Sequence, residues 1–184
     1  MARIPYFDSA NAEGRLKETI EKLPGLNIFR MMAHSGDLLA KFTGLGNHIL
    51  GRAKLDAVLR EIAIIRVGVL SKASYEVYQH ERIGRDIGMS EELIKAIHKG
   101  PDAPAFDDLQ RLVMAFTDDV VLNVRASDAT FDPLAKQLSH KEMQELTLTI
   151  GYYMMVSRFL ETFDVDIEEE GSTASVDLKS LERK

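Results

Sequence analysis

From Lys54 to about Leu70 the chain carries an apolar run of about four and a half helical turns. Leu55, Leu59, Ile62, Ile65 and Val69 mark one side, and Val58, Ile64 and Val67 widen the stripe. A helix with so broad an apolar surface has to be covered by other elements, so it is expected to be central. Its β-branched residues would also suit a strand, but the length and the Leu55/Leu59/Ile62 spacing favour a helix. Glu61 interrupts this run. In the next segment, Ala73-Ser-Tyr-Glu-Val-Tyr-Gln-His80, Glu76 and His80 are one turn apart. They share the face Ala73, Glu76/Val77, His80, Gly84, Ile87. A carboxylate and an imidazole on an apolar stripe must be paired, neutralised or served by a pocket. A buried acid–base pair of that kind is what proton transfer needs.

Elsewhere a period of two is almost absent, and the pattern predicts an all-α fold of seven to nine helices. Residues 1–10 read as extended, and Asn11 to Leu23 as a polar amphipathic helix ended by Pro24 and Gly25. Asn27 is a candidate cap for Ile28 to Ala33. A further helix starts at Ser35 or Asp37 and runs to about Leu50, with Leu38, Leu39, Phe42, Leu45 and Ile49 inward and Gly51 as its stop. Ser71 to Ser74 reads as turn and cap before Tyr75 to Ile87. Ser90 starts another helix, Asp107 to about Val124 is long, and Phe131 to Leu138 is short. Ser139 with Glu142 predicts a capping box for the last helix, to about Phe163. The expected organisation is one helical domain over residues 1–167 and an acidic to polar tail over 168–184, mobile or docking on a neighbouring subunit.

Composition narrows the function. The chain has 184 residues, enough for one real core, and a formal charge of −6. No Lys/Arg cluster is dense enough to track phosphates, so nucleic acid is not an expected partner. Cysteine is absent, which excludes disulfides, thiolate metal sites and any thiol nucleophile. The run Met1-Ala-Arg-Ile-Pro-Tyr-Phe7 has no apolar core of a signal peptide, and no stretch reaches a membrane span. A cytoplasmic protein without membrane contact is the expectation.

The string from Leu59 to His80 resembles the carboxymuconolactone decarboxylase family, which shares the helical fold of the alkylhydroperoxidase AhpD. Flanking text agrees: Leu26-Asn-Ile-Phe-Arg-Met-Met-Ala-His34, Gly88-Met-Ser-Glu-Glu-Leu-Ile94, Ser127 to Thr130, and Gly151-Tyr-Tyr153. The resemblance spans roughly Ile4 to Ile167. It implies an AhpD-like domain with a central helical hairpin, and a homo-oligomer, trimeric or hexameric. The peroxidase branch uses a Glu, two cysteines and a His, at places that correspond here to Glu61, Ala73, Glu76 and His80. With both thiols missing, thiol-dependent peroxide reduction has neither its attacking nor its resolving group. The chain looks like the cysteine-less, decarboxylase-like branch, in which Tyr75 and Glu76 precede His80.

The resulting expectation is a lyase or decarboxylase without a cofactor, acting on a small carboxylated lactone or related acid. Glu61, Glu76 and His80 are the candidate acid–base residues. Arg66 is the candidate cation for a substrate carboxylate, and Tyr75 and His34 are further substrate-binding candidates. No metal is expected: one His with carboxylates makes a weak transition-metal set, and no second His lies at ligand spacing. A plainer reading stands beside this one. Glu76 and His80 can be an ordinary structural pair, Glu61 can pair with Arg60, Arg66 or Arg82, and Tyr152 and Tyr153 can be core. The alternative function is a ligand-binding or assembly protein that keeps the fold without turnover.

Overall fold

The computed structural model describes residues 1–169, 172 and 174–182, and all regular structure among them is helical. In chain order the helices are α1 (Gly14–Ile20), α2 (Asn27–Met32), α3 (Leu38–Arg52), α4 (Ala57–Ser71), α5 (Ser74–Asp86), α6 (Glu91–Lys99), α7 (Asp108–Asn123), α8 (Asp128–Ala135), α9 (His140–Phe163) and α10 (Leu178–Glu182). Single 3-10 turns lie at Ser9–Asn11 and Ala33–Ser35. The chain forms two compact units, Met1–Arg52 with Leu160–Lys184, and Ala53–Phe159.

In the first unit α1 and α10 pack on α3. Gly51 does not stop α3, which runs to Arg52. A side chain at Gly51 would collide with Leu181 of α10, so the glycine admits a neighbour rather than ending the helix. Leu39 and Ile49 face inward as expected, but Leu38 and Leu45 are exposed. Asn27 is the first residue of α2, not its cap. Its side chain accepts from Arg30 at 3.0 Å and donates to the Asp166 carbonyl at 2.9 Å, while its N–H donates to Glu168. The acidic stretch after α9 is anchored in part: Asp166 accepts from the Ala2 N–H and the Tyr6 hydroxyl. Of the tail expected beyond residue 167, positions 170, 171, 173, 183 and 184 lie outside the described residues.

The second unit is built on α4, in which every residue from Leu59 to Gly68 is buried. That is the result expected of a helix apolar almost all round, packed here against α5, α6 and α7. Asp56 starts it, accepting from the Val58 and Leu59 N–H groups. Its end is a left-handed residue, Lys72 (φ 57°), after which the Ala73 N–H returns to the Gly68 carbonyl at 2.9 Å. Ser74 therefore falls inside α5, which Ala73 precedes without a side-chain cap. A Cβ on Gly68 would come within 3.0 Å of Val77 and 3.5 Å of the Glu76 Cβ, so the glycine sets how closely the hairpin closes. Ser90 caps α6, and Asp107 with Gln110 forms a capping box on α7. Ser139 and Glu142 bond reciprocally at the start of α9, as their spacing predicts. No helix among the described residues is long and apolar enough to cross a membrane.

Candidate active site

The α4–α5 hairpin brings together the three ionisable residues picked from the sequence. Glu61 Oε2 on α4 is 2.6 Å from His80 Nδ1 on α5. Glu76 Oε1, one turn back along α5, is 3.1 Å from His80 Nε2. The imidazole is held between two carboxylates, one at each edge. All three are buried: relative exposure is 0% for Glu61, 3% for Glu76 and 5% for His80. Glu61 uses its second oxygen to accept from Arg60 Nε at 3.1 Å. Charges therefore alternate along a row, Arg60, Glu61, His80, Glu76. The Tyr153 ring on α9 meets the His80 ring edge-on, 4.8 Å between centroids, and Tyr152 packs edge-on against Tyr153.

The two edges of His80 are not equivalent. The Glu61 contact is a short, aligned hydrogen bond. Glu76 Oε1 lies at ion-pair distance but receives no aligned hydrogen bond. A buried carboxylate oxygen without an aligned donor costs stability, and such exceptions are found at catalytic sites. The two carboxylates address opposite edges of one ring, so their lone pairs do not converge on a point where a cation could sit.

Burial alone would push the His80 imidazole down. The charges of Glu61 and Glu76, with the hydrogen bond to Glu61, outweigh it and hold His80 up at about 9. At neutral pH the ring is an imidazolium. Burial, reinforced by the charge of Glu76, pushes the Tyr152 and Tyr153 hydroxyls above their ordinary value. The site thus holds a protonated acid, His80, beside a carboxylate with an open lone pair, Glu76. An imidazolium next to a carboxylate oxygen can donate a proton to one group while the carboxylate accepts from another.

The other candidates lie elsewhere. Arg66 does not join the trio: Nε and Nη2 hold Asp118 at 2.5 and 2.7 Å, and Nη1 donates to the Ile97 carbonyl at 3.0 Å. The guanidinium ties α4 to α6 and α7, and each of its three nitrogens is engaged. Tyr75 is buried on α5, next to Glu76 in the chain. His34 belongs to the other unit, where its Nε2 is 2.8 Å from the Pro5 carbonyl and its ring meets Phe7 edge-on. Sequence reasoning passed over the importance of two residues. Arg60 figured only as one of three possible partners of Glu61, and Tyr153 only as core. The signal for Tyr153 was present in the Gly151-Tyr-Tyr153 string.

Residues 36–119, which contain the whole α4–α5 hairpin, match the family model described as the carboxymuconolactone decarboxylase family. Over that stretch the chain is similar to the family. Solved structures agree on the fold. A protein from Ralstonia eutropha, described as an alkylhydroperoxidase AhpD core and an uncharacterized peroxidase-related protein, superposes with a TM-score of 0.78 at 17% identity, covering 92% of this chain and 93% of its own. A peroxidase-related protein from Silicibacter gives 0.77 at 16%, covering 92% and 95%. The debrominase Bmp8, solved with 2,3,4-tribromopyrrole, gives 0.70 at 19%, covering 83% and 81%. At these identities the likeness shows the AhpD-like fold alone. Curated proteins give no match. The chain has no cysteine.

Proposed function

We propose that this chain is a lyase that needs no cofactor and acts on a small carboxylated lactone or related acid, with Glu61, His80 and Glu76 handling the proton. The observation that supports this most is the imidazolium clamped between two buried carboxylates, one of which keeps an oxygen without an aligned donor. In a decarboxylation the carbon–carbon bond to the carboxylate breaks, carbon dioxide leaves, and the electron pair stays on a carbon conjugated to the lactone carbonyl. His80 donates the proton that this carbon requires, and the ring then regains one from solvent, taken up by the Glu76 carboxylate and passed on to Nε2. Glu61 stabilises the imidazolium while it waits. We assign this work to a cytoplasmic homo-oligomer. The open apolar groove between α8 and α9, lined by Phe131, Ala135, Met143 and Leu148, supports assembly.

Turnover of carboxylated lactones and enol-lactone acids by wild type and His80→Ala tests the proposal. The expected loss is roughly 100- to 10,000-fold, the range of general acid–base catalysis. Equal rates would remove His80 from the mechanism. A second reading is favoured by one observation: the two cations and two anions of the row balance, as they would in a purely structural set. On that reading the protein binds or assembles without turnover, and none of the acids tested is consumed by wild type.

A further inference from the structure

We infer that Arg60 is a positioning residue for His80: by occupying one oxygen of Glu61 it fixes the other on Nδ1, and so leaves Nε2, facing Glu76, as the edge through which the imidazole exchanges protons. The inference rests on the acid–base reading of His80 but not on any substrate. Arg60 and Glu61 are neighbours on α4, and neighbouring helical residues diverge by about 100°. The Arg60 guanidinium nevertheless comes back to Glu61, with Nε 3.1 Å from Oε1 and the residue only 4% exposed. Burying so strong a cation is costly unless it is paired. Its partner is a carboxylate already bound to His80.

The arrangement has two consequences for the ring. Glu61 on its own could turn either oxygen to His80, or take the shared proton itself. With Oε1 engaged by a permanent cation, only Oε2 is presented to the ring. The groups facing His80 are Arg60 and Glu61 from α4, Glu76 from its own helix, and Tyr153, with Tyr152 behind it, from α9. Both tyrosines remain neutral, so Arg60 and His80 are the cations that offset Glu61 and Glu76. Removing Arg60 leaves a surplus negative charge, and the cluster as a whole then binds its proton more tightly.

The test is a pH titration of the His80 imidazole by nitrogen-15 NMR in wild type, Arg60→Gln and Arg60→Lys. Wild type should lose its proton from Nε2 and keep the one on Nδ1. Arg60→Gln should move the midpoint upward by about one pH unit or more, a tenfold change in proton affinity, and give a mixture of the two neutral tautomers. Arg60→Lys keeps the charge but lacks the Nε–H, so its midpoint should stay near wild type while the tautomers mix. If Arg60 only supports the fold, both variants lose stability while midpoint and tautomer stay as in wild type, and the inference fails. Should Arg60→Gln not fold, Arg60→Lys decides alone: a wild-type tautomer in it overturns the assignment. No substrate enters the measurement, so its outcome is independent of whether the lyase reading survives.

Discussion

Helix α4 carries two buried ionic sets, and they are built on opposite plans. Arg66 and Asp118 form a closed pair, two nitrogens on two oxygens, with the third nitrogen on a main-chain carbonyl. Nothing in that geometry changes when a proton moves, because an arginine does not titrate near neutrality. Six residues earlier, Arg60, Glu61, His80 and Glu76 form an open row whose middle member is titratable and whose last oxygen has no aligned donor. The closed pair is the less deeply buried, since Asp118 keeps partial exposure while the open row is buried throughout. What also differs is whether the set contains a proton that can leave.

Breaking the closed pair should give the largest effect on stability. Arg66→Ala leaves Asp118 facing a gap and the Ile97 carbonyl without its donor, at a cost of about 3 kcal/mol or more, toward the range for splitting a largely buried ion pair. Urea denaturation reads that loss, and His80 should titrate as in wild type. A displaced His80 midpoint would mean that the two sets are coupled and the contrast is false.

The open row should reveal itself through pH. His80 is held at about 9 in the folded chain, above the ordinary 6.5. A raised value means that the folded state binds the proton more tightly. Its contribution, roughly 3 kcal/mol, is fully present below pH 6.5 and is lost as pH rises through about 9. Urea midpoints collected from pH 6 to 10 should fall across that window, and His80→Gln should flatten the fall. An equally steep slope in the variant would assign the effect to other groups.

Gly68→Ala sharpens the contrast with a smaller change. The added methyl presses on Val77 and approaches the Glu76 Cβ, and overpacking of this kind costs about 1–3 kcal/mol. Because the contact is on the hairpin, the His80 NMR signals should shift while the environment of Arg66 stays as it was. Unchanged His80 signals would show that Glu76 tolerates movement of its backbone.

Much of this was legible in the chain itself. The breadth of the apolar surface on Leu55 to Val69 predicts a central helix, and the period of α5 places Glu76 and His80 on one face. What periodicity does not carry is the direction of a long side chain. Arg66 lies about 140° from Glu61 around α4, and only the fold reveals that Asp118, 52 residues later, is waiting there. Arg60 points away from Glu61 on a helical wheel, yet its long flexible side chain brings the guanidinium back. Gly51 failed as a stop for a related reason: a glycine that ends a helix and a glycine that makes room for a distant one look alike until the distant one is seen. His34 illustrates a further limit, since matching a family segment says nothing of which compact unit a residue will join.

The hairpin turn has a consequence for how this chain can vary. Most surface loops absorb insertions. Between Ser71 and Ser74 there is no such slack, because Lys72 in its left-handed conformation and the Ala73 return bond fix where α5 begins. One extra residue there would rotate the start of α5 by about 100°, turning Glu76 and His80 off the seam together. The alignment of acid and base is therefore quantised: a change of length between the helices turns both residues away in one step.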